Sequence, residues 1–216
     1  MQAIASAQEP AVRPRRKVEQ ILAAAGRLFR EHGYAMTSMD AVAQEADVSK
    51  ATLYVYYAGK RELFAAVIAD EGDQRSRVLI TGEDGAEDFR AKLMRFGHAI
   101  QDLLIAPETV SSYRMVVGEA GRLPDLGRLY YDNGAGRLLG RLEQFFASAM
   151  EGGKLRASDA RRAAEQFVGL VRGDLMLRAL LGVDERVTAQ QRDSVVRAGV
   201  DTFYRAYRVD REATPE

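Results

Sequence analysis

The chain of 216 residues has no cysteine, and its two histidines are His32 and His98. Without cysteine the protein forms no disulfide bond and no thiolate metal site, and two histidines are too few for a histidine-rich metal centre. We therefore expect neither a metal ion nor a cofactor. The same composition suits the reducing environment of the cytoplasm, which is where we expect the protein to work.

Long apolar runs are also missing. The sequence has no apolar stretch of about 18 residues, so it predicts no transmembrane helix and no membrane partner. The first residues have neither the basic start nor the apolar centre of a signal peptide. We expect residues 1–13 to form a disordered arm ahead of the folded part of the chain.

Charge of one sign does not dominate, because 31 Lys and Arg balance 31 Asp and Glu. A zero net charge argues against a general binder of polyanions. Cations are concentrated locally, at Arg13, Arg15, Arg16 and Lys17. By itself such a cluster indicates a solvated terminus, so its role depends on the segment that follows it.

Residues 37–63 carry the clearest pattern, TSMDAVAQEADVSKATLYVYYAGKREL. The apolar residues recur at the i, i+3, i+4, i+7 spacing of one helix face: Met39, Val42, Ala43 and Ala46. Thr37 is predicted to cap this helix, with Asp40 completing a capping box. Asp47 then falls in a turn, where a short polar side chain tolerates a left-handed backbone.

A second short helix is predicted after that turn. Ser49 is its expected N-cap, and Leu53 and Tyr57 form its buried side. Its outer side is left to Lys50, Thr52, Tyr54 and Tyr56. Gly59 and Glu62 then begin a third helix. Two short helices in this order indicate a helix-turn-helix, whose second helix lies in the major groove of DNA.

The predicted DNA contacts divide into base readers and phosphate contacts. The base readers are Lys50, Ala51, Thr52 and Tyr54. Phosphate contacts are expected from the basic cluster, from Thr37 or Ser38, and from Tyr56 and Lys60. The complete predicted set is Arg15, Arg16, Lys17, Thr37, Ser38, Ser49, Lys50, Ala51, Thr52, Tyr54, Tyr56 and Lys60.

The segment from Arg15 to about Val67 resembles the DNA-binding domain of TetR-family transcriptional regulators. Four positions depart from the family pattern. Asp47 and Ala51 stand where glycine is frequent, Val55 replaces a histidine that often contacts the DNA backbone, and Gly59 replaces a usual serine cap. The matching residues are Leu28, Phe29, Gly33, Tyr34, Thr37, Ser38, Ala43, Val48, Ser49, Lys50, Thr52, Leu53, Tyr54, Tyr56, Tyr57, Lys60, Glu62 and Leu63.

The rest of the chain resembles, more loosely, the ligand-binding and dimerisation part of AefR-like members of that family. Segments 113–120, 123–126 and 164–174 carry this likeness. The resemblance implies an all-α fold, in which a three-helix helix-turn-helix domain over residues 14–60 joins a larger helical ligand-binding and dimerisation domain over residues 61–210.

The apolar spacing predicts helices throughout, without an alternating strand. The first runs from Pro14 to Gly33, and the fourth from near Lys60 to about Val78, before a loop over residues 81–85. Later helices are expected around residues 93–104 and 107–117. One long helix is predicted from Asp125 to about Met150, and two more over about 158–181 and 188–208.

The last two of these helices are predicted to form a homodimer interface. Each carries more apolar surface than one neighbour covers, and glycine and alanine allow close approach of a second copy. The alternative is an ordinary core. The predicted interface residues are Phe167, Val171, Val196, Gly199, Val200 and Phe203.

A ligand cavity is expected between the helices of the larger domain, with Arg114 or Arg172 as a polar anchor. The alternative for each residue is plain core packing. The predicted lining is Met94, Phe96, Tyr113, Arg114, Met115, Tyr130, Phe167, Arg172 and Met176. The sequence shows no nucleophile with an adjacent base. Asp174 and Arg178 stand four residues apart and are expected to form an ion pair. We therefore expect no enzymatic activity.

Together these features predict a homodimeric transcriptional repressor that a small molecule releases from a palindromic double-stranded DNA operator. An activator would have the same sequence features. The alternative from another class is a helical small-molecule-binding or scaffold protein that keeps the helix-turn-helix as a relic. The intact Lys50, Thr52 and Tyr54 face and the basic cluster argue against that alternative.

Overall fold

A computed structural model describes residues 15–76, 88–183 and 187–209. The predicted arm over residues 1–13, the start at Pro14, the end near Val78 and the loop over 81–85 lie outside these ranges. Within them every regular element is a helix, and an isolated antiparallel bridge joins Leu155 and Arg208. The helices are α1 Arg15–Met36, α2 Met39–Glu45, α3 Lys50–Tyr56, α4 Lys60–Ser76, α5 Phe89–Leu104, α6 Pro107–Ala120, α7 Pro124–Asn133, α8 Ala135–Glu151, α9 Ala160–Arg172, α10 Leu175–Leu181 and α11 Ala189–Tyr207. The all-α prediction is confirmed.

The chain forms two compact units, which divide between Val67 and Ile68. The first contains α1, α2, α3 and the beginning of α4. Its core is built from apolar side chains that are almost fully buried, among them Ile21, Phe29, Leu53, Leu63 and Phe64. Phe29 and Phe64 meet edge to face with ring centres 5.3 Å apart, and Tyr34 stacks beside them.

The beginning of α2 differs from the prediction. Gly33 interrupts α1 with a φ of 82°, as its predicted role as a helix end requires. The cap of α2, however, is Ser38, whose side chain accepts a hydrogen bond from the Ala41 amide at 3.1 Å. Thr37 is instead buried, and its hydroxyl donates to the carbonyls of Gly33 and Leu28. The prediction of Thr37 as N-cap is therefore wrong.

The second unit packs α5, α8, α9 and α11 around one core, with α9 in contact with the other three. Six phenylalanine and tyrosine rings make a continuous series of edge, tilted and stacked contacts through it: Phe96, Phe145, Phe146, Phe167, Phe203 and Tyr207. The bridge between Leu155 and Arg208 ties the end of α11 to the segment that precedes α9.

Two helices predicted as continuous are broken by glycine. The helix expected from Asp125 to Met150 divides at Gly134, whose backbone is non-helical. The helix expected over residues 158–181 divides at Gly173, where a φ of 53° turns the chain. Apolar residues recur at helical spacing on both sides of each break, so the pattern alone did not locate the breaks.

The predicted dimer-interface residues lie in the core of the single subunit. Phe167, Val171, Val196, Val200 and Phe203 are each 0% exposed in one chain. Gly199 is also buried and lies directly against the backbone of Leu170. An interface made by these side chains is wrong, because α5 and α8 of the same chain already cover that face.

Candidate DNA-binding surface and effector cavity

The turn between α2 and α3 has the geometry that a helix-turn-helix requires. Asp47 adopts a left-handed backbone with a φ of 47°, as predicted. The Val48 amide donates to the Ala43 carbonyl at 3.0 Å, which closes the turn. Ser49 caps α3 by accepting a hydrogen bond from the Thr52 amide at 3.0 Å. Both the turn and the cap of α3 are confirmed.

The faces of α3 divide as the spacing predicts. Leu53 and Tyr57 are buried on the inner side. Lys50, Ala51 and Tyr54 are exposed on the outer side, and Thr52 and Tyr56 are partly exposed. Tyr54 is 45% exposed and Val55 is 72% exposed, so two large side chains stand together on the surface of a seven-residue helix.

Lys50 is held by a carboxylate of the preceding helix. Its Nζ lies 2.7 Å from one oxygen of Asp40 and 3.0 Å from the other. The hydrogen bond and the charge of Asp40 raise the pKa of Lys50, so this side chain stays a cation. To contact DNA, Lys50 must exchange an exposed ion pair, which in solution contributes little to stability.

The other predicted DNA contacts differ in how exposed they are. Thr37 is wrong as a phosphate contact, because it is only 3% exposed and its hydroxyl donates to carbonyls within the subunit. Lys60 is partly exposed, with its Nζ on the Ala35 carbonyl at 3.0 Å and over the Tyr34 ring. Ser38, Arg16 and Lys17 are exposed.

A cavity of about 140 Å³ lies within the second unit. Its wall is mainly apolar and includes Ile68, Leu103, Leu104, Tyr113, Tyr130, Leu138, Leu139, Val168 and Met176. Tyr113 and Tyr130 meet edge to face with ring centres 6.1 Å apart. Burial raises the pKa of Tyr130, with smaller contributions from Glu71 and Tyr113, so its hydroxyl remains protonated.

Three of the predicted lining residues border this cavity: Tyr113, Tyr130 and Met176. Phe96 and Phe167 are instead fully packed in the core, with Met94 against them. Arg114 donates to the carbonyls of Leu180 and Ala179, at the end of α10. Met115 and the exposed Arg172 do not border the cavity either. These six residues do not line this cavity, and successive residues of one helix, such as Tyr113, Arg114 and Met115, point in different directions.

One end of the cavity is polar, and sequence analysis missed it. Asp73 on α4 pairs with Arg137, at 3.0 Å, and with Arg141. All three residues border the cavity, together with Glu71 and Asn133. The arginines stand four residues apart and therefore share one face of α8. That spacing was readable, but their carboxylate partner is more than 60 positions away in the sequence.

Each of the two units matches a known protein family. The family described as "Bacterial regulatory proteins, tetR family" matches residues 21–67, which contain the helix-turn-helix. The description "AefR-like transcriptional repressor, C-terminal domain" matches residues 91–209, more than half of the chain. The chain belongs to the TetR family. It is a DNA-binding transcriptional regulator of that family.

Individual TetR-family relatives agree with this assignment. The structure of the flavonoid-responsive regulator FrrA is 36% identical, with a TM-score of 0.74, over 90% of this chain and 98% of FrrA. An uncharacterized HTH-type transcriptional regulator of Mycobacterium tuberculosis is 26% identical over 75% of each chain. The nicotine-responsive transcriptional repressor HdnoR of Paenarthrobacter nicotinovorans is 34% identical over 41% of this chain and 43% of its own.

Two further findings concern the described residues. In residues 15–76, 88–183 and 187–209, no group of three or more His, Asp or Glu side chains is arranged to hold a metal ion. Among the helices in the same ranges, none combines the length and the apolar character needed to cross a membrane. The predicted pair of Asp174 and Arg178 is present, with their charged atoms 3.9 Å apart.

Val55 is the residue of the recognition helix that sequence analysis left out of the TetR-family site. It lies between Tyr54 and Tyr56 and is the most exposed apolar side chain of α3. The signal was available, because a residue two positions from buried Leu53 and two from buried Tyr57 must face away from the core. An exposed apolar side chain on a recognition helix suits contact with the methyl group of thymine.

Proposed function

We propose that this TetR-family regulator is a repressor that binds a palindromic operator as a homodimer and leaves it when a small molecule binds. The observation that carries the proposal is the outer face of α3, where Lys50, Ala51, Tyr54 and Val55 are exposed on a helix capped at Ser49. Such a face is suited to the major groove, where side chains from one helix reach base edges.

In this proposal some of the exposed side chains contact bases and others contact phosphates. Lys50, Ala51, Thr52, Tyr54 and Val55 would read bases from α3. Phosphate contacts would come from Arg15, Arg16, Lys17, Ser38, Ser49, Tyr56 and Lys60. Backbone amides at the capped starts of α2 and α3 also suit phosphate oxygens, because a helix N-terminus carries partial positive charge.

The proposed effector site is the cavity of about 140 Å³ in the second unit. Its apolar wall with a few polar groups is the usual character of a small-molecule site. The names of FrrA and HdnoR describe responses to a flavonoid and to nicotine, which supports ligand control in this relative as well. Effector binding would shift the protein toward a conformation that no longer fits the operator.

For the dimer we propose the exposed sides of α9 and α11 in place of their buried sides. These sides carry small residues that permit close packing of a second copy, including Gly169, Ser194, Ala198 and Thr202. On α10 and just after it, Leu177, Leu181 and Val183 are 57%, 70% and 58% exposed, and a second copy would cover these apolar side chains. Two copies would present two α3 helices to successive half-sites.

The test is binding of the full-length protein to DNA fragments that flank its own gene, measured by fluorescence anisotropy. We expect a dimer on a palindromic site whose half-sites lie one helical turn, about 34–36 Å, apart, with affinity that falls steeply as salt rises. A reporter driven by that fragment should become more active when the regulator is deleted. A less active reporter would identify an activator, and salt-independent binding would contradict sequence-specific DNA recognition.

A further inference from the structure

The cavity of the second unit has room for one ring. Its volume is about 140 Å³. An apolar cavity of about 150 Å³ in a protein interior accommodates benzene. The side chains around it come from five helices and are suited to hold a flat ring: Leu103, Leu104, Tyr113, Tyr130, Leu138 and Met176. Tyrosine rings make edge or offset contacts with a further aromatic ring, and such contacts stabilise a complex beyond the apolar area that they bury.

Charge is concentrated at the α4 and α8 end of the same cavity. There Asp73 accepts hydrogen bonds from Nη2 of Arg137, with one N–O distance of 3.0 Å, and from Nη2 of Arg141. Both guanidinium groups carry a permanent charge, and their planar N–H groups match a carboxylate. The side chains of Asp73 and Arg137 are 39% and 42% exposed, so this pair is held weakly and exchanges readily.

We infer that the effector of the proposed regulator is a single-ring aromatic carboxylate, whose ring fills the apolar cavity and whose anion takes Arg137 and Arg141 from Asp73. The inference rests on the proposed function and names the chemical class of its ligand. An incoming carboxylate has the same two oxygens as Asp73 and accepts the same N–H groups. A neutral ligand of equal size would leave the existing pair in place and gain only the apolar contact.

The exchange acts on a helix that belongs to both units. Helix α4 runs without interruption from Lys60, in the DNA-binding unit, to Ser76, and Asp73 lies near its end. The pair with Arg137 and Arg141 attaches that end of α4 to α8. A carboxylate that takes both arginines removes this attachment. The ligand therefore binds more tightly to a conformation in which α4 is released from α8 than to one in which the two are paired. A ligand shifts a conformational equilibrium only through such a difference in affinity.

The test is isothermal titration calorimetry of the full-length protein with benzoate, phenylacetate and 3-phenylpropionate, each compared with its own amide. We expect at least one acid to bind about tenfold more tightly than its amide, as a charge-assisted hydrogen-bond pair gives. Biphenyl-4-acetate, which carries a second ring, should bind more weakly than the best single-ring acid. Hexanoate and phenethylamine should also bind more weakly.

Variants separate the anion contact from the cavity. The double variant Arg137→Gln, Arg141→Gln should reduce binding of the acid to the level of its amide and leave amide binding unchanged. Asp73→Asn should tighten acid binding several-fold, because the competing carboxylate is gone. Arg128→Gln, which changes an exposed arginine of α7 that does not border the cavity, is the matched control and should change neither.

The inference would be overturned if the acids bound no better than their amides, or did not bind at millimolar concentration. It would also be overturned if phenethylamine, hexanoate or the two-ring acid bound more tightly than the best single-ring acid. An Asp73→Asn variant with unchanged or weaker acid binding would contradict it as well. Operator binding is measured on the same preparations. Wild-type protein that binds its operator but fails these tests contradicts only the ligand class, whereas loss of operator binding contradicts the proposed function itself.

Discussion

Single polar side chains at the DNA-binding surface and in the core are held by partners inside the protein, and those partners limit the other contacts that each side chain can make. Lys50 is paired with Asp40, and Lys60 donates to the Ala35 carbonyl. Thr37 has turned its hydroxyl inward, away from any DNA. Gln101, fully buried in α5, donates to the carbonyls of Val171 and Arg172 where α9 ends.

The Asp40 and Lys50 pair yields a prediction for DNA binding. Asp40→Asn should tighten operator binding by up to about fivefold, since Lys50 no longer exchanges an ion pair and a negative charge near the phosphates is removed. Anisotropy titrations at one fixed salt concentration measure the change. Asp132→Asn, on exposed α7, makes the same change in net charge and should have no effect. Weaker binding by Asp40→Asn would show that Asp40 positions Lys50 for the DNA.

Base readers and phosphate contacts should respond differently to truncation. Thr52→Ala and Tyr54→Ala should change the preference among operator variants, because these side chains face the bases in our proposal. Lys60→Ala should weaken binding to all sequences by a similar factor and reduce the slope of log affinity against log salt by about one, if it contacts one phosphate. A Lys60→Ala variant with altered sequence preference would reverse these roles.

Gln101 yields a prediction for stability. Gln101→Leu removes the amide that donates to the last two carbonyls of α9, those of Val171 and Arg172. We expect a loss of about 1–3 kcal/mol in the free energy of unfolding, the usual cost of a buried polar group without its hydrogen bond. Urea denaturation measures it. Gln190→Leu, at an exposed position of α11, should be close to neutral.

At the scale of elements, α11 packs closely against the backbone of α9 where the two helices cross at Gly199. A Cβ atom at Gly199 would lie 2.8 Å from the backbone carbon and oxygen of Leu170, closer than packed atoms allow. The backbone of a helix is rigid, so the two helices would have to separate. This crossing explains why a glycine lies in an otherwise apolar stripe.

The crossing can be tested with two alanine substitutions. Gly199→Ala should lower the free energy of unfolding by about 1–3 kcal/mol, as overpacking of a core does. Gly118→Ala is the control. Gly118 also lies within a helix, α6, but nothing lies within 4 Å of the Cβ that alanine would add. It should raise stability by about 0.5–1 kcal/mol. Equal effects of the two substitutions would contradict a close crossing.

At the scale of the whole molecule, the faces available to a second copy are those the single chain leaves open. Val200 and Phe203 are fully buried, so charged substitutions there would unfold the subunit and would say little about the dimer. The outer side of α11 has exposed Ser194, Ala198 and Thr202. A permanent interface requires roughly 2,000 Å² or more in total, which the outer sides of α9, α10 and α11 together would have to supply.

Ala198→Arg tests this surface. Because Ala198 is exposed in one chain, the subunit should remain folded, with an unchanged circular dichroism spectrum. Sedimentation velocity should show a shift from dimer to monomer, and operator affinity should collapse because one half-site contributes too little alone. Ala91→Arg places the same charge at an exposed position of α5 and should leave the dimer intact. An Ala198→Arg dimer with normal operator affinity would exclude the α11 face.

Features that depend on neighbours along the chain could be predicted from the sequence. The left-handed Asp47, the cap at Ser49 and the inward Leu53 and Tyr57 all follow from local sterics and helical periodicity. The same local rules gave the break at Gly33 and the start of α11 after Thr188. They were enough to predict an all-α chain with a helix-turn-helix.

Features that depend on distant partners were decided only by the tertiary structure. Periodicity showed that Phe167 and Val200 lie on apolar faces, but only the packing of α5 and α8 shows that the subunit itself covers them. The pair of Asp73 with Arg137 and Arg141 joins residues more than 60 positions apart, which no local pattern contains. An apolar or charged residue specifies what kind of partner it needs, and only the folded chain determines which partner reaches it.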